Sequence, residues 1–292
     1  MVPNKLVSVV IPAFNESENI FRICSEIGEV FSKLNYSYEI ILVADGCTDN
    51  TMETIKRLIS INNNIFFIEF SRNFGHQLAL KAGLDYAKGN CVISMDCDLQ
   101  HPPGLIPEFL AKWEEGFEVV YTIRLEDKNL PLGKQLSSRL FYKTLNSLSN
   151  VELETGSADF RLLDSKVVSV IRNFNENEPF LRGLFKWIGF KQTSIMFMPN
   201  ARHSGNSKYS VQKMIKFALQ GVTSFSIKPL YAAIYLGFKF SLLSIIYLPY
   251  AVHAFLTGKV VTGWTSIIMT IVFFGGLQLT ILGIIGIYIG KM

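Results

Sequence analysis

Asp96, Asp98 and Gln100 stand at alternate positions directly after the apolar run Cys91 to Met95. On a continuing strand the two carboxylates would share a face, and in a turn both can still converge on one cation. Gln100 can add a neutral oxygen. Hard oxygen donors of this kind suit Mg2+ or Mn2+ holding a diphosphate, and such a cation neutralises the charge that builds on a diphosphate leaving group. An acidic pair alone is a weak signal, because surface carboxylates are common. Its place after an apolar strand and before His101-Pro102-Pro103 gives it weight.

The elements that must position these groups can be read from periodicity. Leu6 to Ile11 is a β-rich run ended by Pro12, and Ile20, Cys24, Ile27, Phe31 and Leu34 mark one face of a following helix. Further strands are expected at Tyr38–Val43, Ile65–Phe70, Cys91–Met95 and Val119–Thr122, with helices at Met52–Ile59 and Gln77–Ala87 between them. Strand–helix alternation with near-continuous apolar strands predicts an α/β fold with a mostly parallel sheet covered on both faces. Ligands of such sheets bind beyond the carboxyl ends of the strands. The polar groups fall there: Pro12 to Glu16, Asp45, and Asp96 to Gln100. His76 reads as a helix cap or loop residue and His101 as a turn residue. No GxGxxG follows the first strand, so a dinucleotide fingerprint is excluded.

Residues from about 131 to 225 are less regular. Phe141, Leu145 and Leu148 share a helical face. Phe180, Leu181, Leu184, Phe185 and Trp187 form a second apolar cluster beside Arg182 and Lys186. Helices lying on a membrane surface and ordinary core helices are equal readings of this pattern. Two long apolar stretches follow, at about 230–256, interrupted by Lys239, and at about 264–289, free of charge; both are long enough to span a bilayer. The expected organisation is a catalytic domain over 1–225 and a membrane domain over 226–292. Lys208, Lys213, Lys216 and Lys228 precede the first stretch and suit anionic lipid head groups. The positive-inside rule puts both termini and the catalytic domain in the cytoplasm, giving a multi-pass protein of the inner membrane. The N-terminus runs directly into a strand pattern, so no signal peptide is expected. A net charge of +4 over 292 residues leaves a weak footprint for nucleic acid. Cys24, Cys47, Cys91 and Cys97 form no CxxC pair and read as reduced thiols.

Four segments together resemble glycosyltransferase family 2: Val9 to Glu16, Asp45-Gly46, Ser71 to His76, and Asp96 to Pro103. More narrowly they are similar to its polyprenyl-phosphate branch, which Asp159 to Leu163, Phe180 to Gly183, Ser207 to Tyr209 and the apolar tail also fit. The resemblance covers nearly the whole chain. It implies a GT-A fold and a nucleotide-sugar donor, with Pro12, Ala13, Phe14 and Glu16 bordering the nucleoside and Asp45 contacting the base. Asp96 would lie near the donor sugar and the metal, Asp98 and Gln100 being the most direct ligands of Mg2+ or Mn2+. Arg124 matches a position that contacts the acceptor phosphate, with Arg139 a weaker second. Arg202 and Lys208 would neutralise the diphosphate from a loop of small residues, Ser204 to Ser207. Asp159 would orient the sugar or act as a base, or be structural. The family usually reads Asp-Asp-Gly-Ser where this chain has Ala44-Asp45-Gly46-Cys47, which puts base choice in question.

The implied reaction is inverting transfer of a hexose, foremost glucose from UDP-glucose, to undecaprenyl phosphate. A lipid phosphate is already ionised near neutral pH, so a strong general base is not required. GDP-mannose, UDP-N-acetylhexosamine and UDP-aminoarabinose are alternative donors, and an inactive membrane scaffold paired with a flippase is the rival from another class. Expected partners are the donor, the polyprenyl phosphate, the membrane, a second copy of the chain, a flippase and a downstream transferase that decorates a surface glycan such as O-antigen. A processive synthase would carry a QxxRW-type motif, which this sequence lacks.

Overall fold

The computed structural model describes residues 5–125, 156–174, 179–199 and 263–289, with single positions and short runs between them. The chain divides into two compact units, Met1–Lys143 with Val151–Met214, and Thr144–Asn150 with Ile215–Met292. In the first unit the described elements are β1 (Leu6–Ala13), α1 (Ser17–Phe31), β2 (Ser37–Ala44), α2 (Thr51–Ile61), β3 (Ile65–Glu69), α3 (His76–Tyr86) and β4 (Cys91–Ser94). A 3-10 turn at Pro103–Leu105 leads into α4 (Ile106–Glu114), β5 (Val119–Arg124), β6 (Ser157–Asp164), α5 (Ser165–Arg172), α6 (Leu181–Trp187) and β7 (Gln192–Phe197). The strands form one sheet in the order β3-β2-β1-β4-β6-β5-β7. All neighbours are parallel except that β6 runs antiparallel to β4 and β5.

β1 is an inner strand buried along both faces, which is why its sequence is apolar rather than alternating except at Ser8, whose hydroxyl donates to the Glu39 carboxylate of β2. Val9 and Ile11 join Leu42 and Phe160 under Ile20, Ile23, Ile27 and Phe31 of α1 and Phe109 of α4. Val10 points to the other face, where α3 crosses. A Cβ on Gly83 would stand 2.1 Å from Val10 Cγ1, so only glycine lets α3 approach this closely. Pro12 extends β1 by two residues past its expected end without costing a ladder bond. β4 pairs with β1 only as far as Val10↔Ser94, and Pro12, which has no N–H to donate, lies past that pair.

The sheet has two more strands than the five expected, among the described residues. β6 carries Ser157, Asp159 and Arg161 at alternate positions among Phe160, Leu162 and Leu163, and β7 is a half-exposed edge; neither is a continuous apolar run. Their presence, and the burial of Phe180, Leu181, Leu184 and Phe185, settle α6 as a core helix, so the surface-helix reading of that segment is corrected. Trp187 alone of that cluster stands out, 58% exposed.

The tail is also corrected. Over the described residues no helix is long and apolar enough to cross a membrane, so neither the pair of spans nor a multi-pass arrangement is carried by the structure. The stretch at about 230–256 lies largely outside the described residues. The stretch at 264–289 is one helix, α7 (Trp264–Ile289), of 26 residues.

Replacing Gly83 by alanine should push α3 off β1 and destabilise the protein by about 1–3 kcal/mol, the usual cost of overpacking. Urea unfolding measures it; an unchanged midpoint and slope would contradict the tight α3–β1 contact.

Candidate active site

The described polar groups gather at the carboxyl ends of β1, β2 and β4, where the connections leave β1 in opposite directions. This is the switch point at which open α/β sheets take ligands. β5 brings Arg124 to the same edge, and antiparallel β6 delivers Asp159 beside it.

After β4 the chain alternates between open and closed positions. Asp96, Asp98 and Gln100 are half-exposed, while Cys97 and Leu99 are buried beneath them. Three oxygen-bearing side chains thus share the open side. Leu99 sits at φ 61°, a left-handed conformation uncommon for a residue other than glycine, and this turns the chain so that Gln100 follows the two acids. Asp98 Oδ1 accepts from the Gln100 amide at 3.1 Å, and Gln100 Oε1 accepts from Arg124 Nη2 at 2.8 Å. Among the described residues no group of three His, Cys, Asp or Glu could enclose a metal. The open, oxygen-only set of Asp96, Asp98 and Gln100 instead fits a hard cation that completes its shell with phosphate oxygens and water. An amide oxygen has two lone pairs, so Gln100 can keep Arg124 while serving such a cation.

Asp96 is held from two sides. His76 Nε2 lies 2.8 Å from its Oδ1, and its own backbone N–H donates to His101 Nδ1 at 3.0 Å. The His101 ring is stacked on Phe160 with centroids 5.1 Å apart. Burial works to raise the Asp96 pKa, but His101 and His76 outweigh it and hold the carboxyl down to about 2. Burial lowers the pKa of His101. Burial also opposes charge on His76, yet the hydrogen bond and charge of Asp96, with Asp159 behind them, raise its pKa.

Asp159 is buried and fully engaged. Arg182 donates to both carboxylate oxygens, Nε to Oδ1 and Nη2 to Oδ2, each at 2.7 Å. Arg161 Nη2 is 3.5 Å from Oδ1 and His76 Nδ1 is 3.9 Å from Oδ2. Burial works to raise the Asp159 pKa, but the Arg182 fork prevails and keeps the carboxyl ionised well below the usual range. A carboxylate so placed is a weak base and a firm anchor. Arg161 lies over the Phe185 ring at 4.5 Å, and burial brings its guanidinium down to about 10 against the pull of Asp159.

At the end of β1, Pro12 and Ala13 are buried within the strand, while Phe14 and Glu16 are half-buried beyond it. Asp45 is buried as well, and its carboxylate turns to the segment after β3. Oδ1 accepts from the Phe74 amide at 2.7 Å and Oδ2 from the Gly75 amide at 2.9 Å. Gly46 at φ 63° packs so closely that a Cβ would meet the Arg72 carbonyl carbon at 2.2 Å. Each Asp45 carboxylate oxygen thus already accepts one backbone amide at this strand end.

Of the sequence-derived candidates, Asp96, Asp98, Gln100, Arg124 and Asp159 come together, with Phe14 and Glu16 on the adjoining edge. Arg139, Arg202 and Lys208 lie outside the described residues. Sequence reading gave His76 only as a helix cap or loop residue and Arg182 only as a member of a family-like segment, with no site role for either. The available signal for His76 was its position, directly after a strand and at the same carboxyl edge as the acids.

A mostly parallel α/β sheet with oxygen donors and an arginine at this edge has the architecture of the GT-A fold. The chain belongs to glycosyl transferase family 2, whose sequence profile matches residues 8–172, and it is a transferase enzyme. It is similar to the uncharacterized glycosyltransferase YkcC of Bacillus subtilis, 39% identical over 98% of this chain and 88% of that one. It is also similar to the prophage bactoprenol glucosyl transferase homolog of Escherichia coli, 34% identical over 98% of this chain and 94% of that one. In fold it resembles mannosyl-3-phosphoglycerate synthase from Rubrobacter xylanophilus, with a TM-score of 0.51 at 15% identity over 75% of this chain and 73% of that one.

A carboxylate whose folded pKa is depressed contributes stability that is present above its ordinary value, here 3.8, and lost as pH falls through the folded pKa. Arg182→Met should therefore destabilise the protein by about 3–5 kcal/mol at neutral pH, the cost of stranding a buried charge. Without its partner, Asp159 takes up a proton more readily, so the gap to wild type should narrow on acidification to about pH 4. Urea unfolding at the two pH values tests this, and a gap independent of pH would remove Asp159 as the cause.

Proposed function

We propose that this transferase moves a hexose, foremost glucose from UDP-glucose, to a polyprenyl phosphate such as undecaprenyl phosphate, with inversion at the anomeric carbon. The observation that carries this reading is the open row Asp96, Asp98 and Gln100 with the Arg124 guanidinium hydrogen-bonded to its end. It sets a seat for a cation-bound diphosphate next to a cation suited to a second anion. The kinship with a bactoprenol glucosyl transferase homolog supports both the donor and the acceptor.

The chemistry follows from the acceptor. An ionised lipid phosphate attacks the anomeric carbon in line and expels the nucleoside diphosphate. Two anions must approach one another, so positioning and charge neutralisation supply the rate. Arg124 would receive the acceptor phosphate, with Arg139 as a second contact, while Arg202 and Lys208 would face the diphosphate. Phe14 and Glu16 would border the nucleoside, over a floor made by Pro12 and Ala13. Asp98 and Gln100, with Asp96, would hold Mg2+ or Mn2+, which when bound takes up charge on the leaving diphosphate. Asp159, gripped by Arg182, orients its surroundings and leaves proton abstraction unneeded, as an ionised nucleophile allows.

The acceptor is a lipid, so the enzyme must work at a membrane. α7 has no charged residue, and Ile267, Ile271, Phe273, Leu279, Leu282 and Ile289 are exposed on it. An apolar helix exposed around its circumference fits a lipid environment, and we assign it the membrane contact at the cytoplasmic face of the inner membrane. The lipid-linked sugar would pass to a flippase and a downstream transferase.

Purified protein in detergent should form lipid-linked sugar from undecaprenyl phosphate and one member of a panel of nucleotide sugars. The reaction should need Mg2+ or Mn2+ and stop with EDTA. Asp98→Ala should lower turnover by about a hundredfold or more, the scale of losing one group that stabilises developing charge. Folded protein that makes no such product from any donor would overturn the assignment.

A further inference from the structure

We propose that the outer edge of the sheet beside Arg124 carries a short apolar rim, made by Ile123 and Leu125 with Met196 and Met198, that receives the first units of the acceptor's hydrocarbon chain. The inference rests on the acceptor reading given above and adds to it where the chain of the lipid phosphate lies.

The rim follows from the pairing of β5 with β7. The two strands run parallel, with Ile123 opposite Met196 and Arg124 opposite Phe197. The Leu125 amide donates to the Phe197 carbonyl at 3.0 Å, so the ladder continues one residue past β5. Successive side chains of a strand point to opposite faces. Phe197 is buried and meets the His101 ring edge-on, with centroids 5.9 Å apart, and Arg124, on the same face, reaches Gln100. Ile123, Leu125 and Met196 therefore stand on the other face, and Met198 follows in step with them. Met196 is 68% exposed, Met198 67% and Leu125 40%. Inward along this face, Lys186 Nζ lies over the Tyr121 ring at 5.3 Å. The apolar strip is thus bounded by a cation at its inner end and runs out to the carboxyl edge that holds the site.

β7 is an outer strand of the sheet, and from Gln192 to Pro199 the chain carries no charged side chain. Exposed sheet edges are normally guarded by charge, so an uncharged edge with two exposed methionines suits an apolar occupant. Its neighbour narrows the chemistry of that occupant. Arg124 and Leu125 are consecutive, with Cα atoms about 3.8 Å apart, one turned to the acid row and the other away from it. An anion held at Arg124 whose apolar chain begins at the phosphate ester would meet Leu125 as the chain leaves. A polyprenyl phosphate has that build. A thioether is flexible and polarizable and fills irregular gaps, which suits a chain with a methyl branch on each unit. Two residues along a strand cover about 7 Å, so the rim holds only the beginning of the chain and leaves the remainder in lipid.

A double variant, Met196→Gln with Met198→Gln, keeps the length of both side chains and makes them polar at exposed positions. The probes are farnesyl phosphate, a phosphate with a short isoprenoid chain, and methyl phosphate, which has none. Without donor or metal, calorimetry should show the double variant binding farnesyl phosphate about tenfold more weakly than wild type, or worse, as apolar contact is lost. Methyl phosphate should be bound alike by both. With UDP-glucose and Mn2+, the KM for farnesyl phosphate should rise by a similar factor, while the KM for UDP-glucose stays within about threefold of wild type. Binding to vesicles of phosphatidylcholine and phosphatidylglycerol should be unchanged, which separates the acceptor's own chain from the surrounding bilayer.

Equal affinity of wild type and double variant for farnesyl phosphate would overturn the rim and leave the acceptor reading standing. So would a loss of vesicle binding with farnesyl phosphate affinity retained, which marks a bilayer contact, or a change in oligomeric mass on substitution, which marks an interface between copies. Wild-type protein that binds UDP-glucose but neither farnesyl phosphate nor undecaprenyl phosphate would remove the acceptor reading itself, and the rim with it. Should the double variant fail to fold, Leu125→Gln on the neighbouring strand takes its place and carries the same expectations.

Discussion

A carboxylate buried at Asp159 must be neutralised, and much of the site is arranged around that requirement. A lone buried ion would cost several kcal/mol. Here Arg182 meets it with a fork, Arg161 stands behind, and His76 faces its remaining side. The same imidazole turns its other nitrogen to Asp96. Neutralising one buried charge therefore also sets the direction of an exposed one, and that exposed one lies on the open row with Asp98 and Gln100. Arg182 belongs to α6, so the core helix that covers this end of the sheet is also what keeps the acidic edge in shape.

The departure at Ala44 fits this arrangement. Alanine ends β2 fully buried, and the remaining acid, Asp45, is turned inward to amides. Neither residue presents a charge to the open edge on the β2 side. What the edge does present there is Phe14, Glu16 and the Arg72–Phe74 stack, in which a guanidinium lies against a ring face.

The parts of this fold that were legible in the sequence are those whose environment is set locally. β1 and β2 are buried on both faces over most of their length, so apart from Ser8 and Glu39, which hydrogen-bond to each other, their buried residues are apolar, and α1 shows its buried face at helical spacing. Asp96, Asp98 and Gln100 were legible because their alternate spacing survives into the structure as a shared open side. β6 was not, because Asp159 and Arg161 occupy positions where a strand buried on both faces would carry apolar groups. Their partners, Arg182 and Phe185, come later in the chain, and no local window shows that the charges cancel. His76 was missed for the same reason, since Asp96 is 20 residues away. α6 was ambiguous because an apolar helical face looks alike whether it meets lipid or a sheet.

The position of β6 also dictates an order of assembly. β5 precedes β6 in the chain, yet its neighbours in the sheet are β6 and β7, both made later. As the polypeptide leaves the ribosome, β1 to β4 can pair among themselves, while β5 has nothing to pair with until Asp164 has been synthesised. Arg124 ends β5 and Asp159 lies in β6, so the part of the edge formed by β1, β2 and β4 can be shaped while the nascent chain still lacks the part formed by β5 and β6.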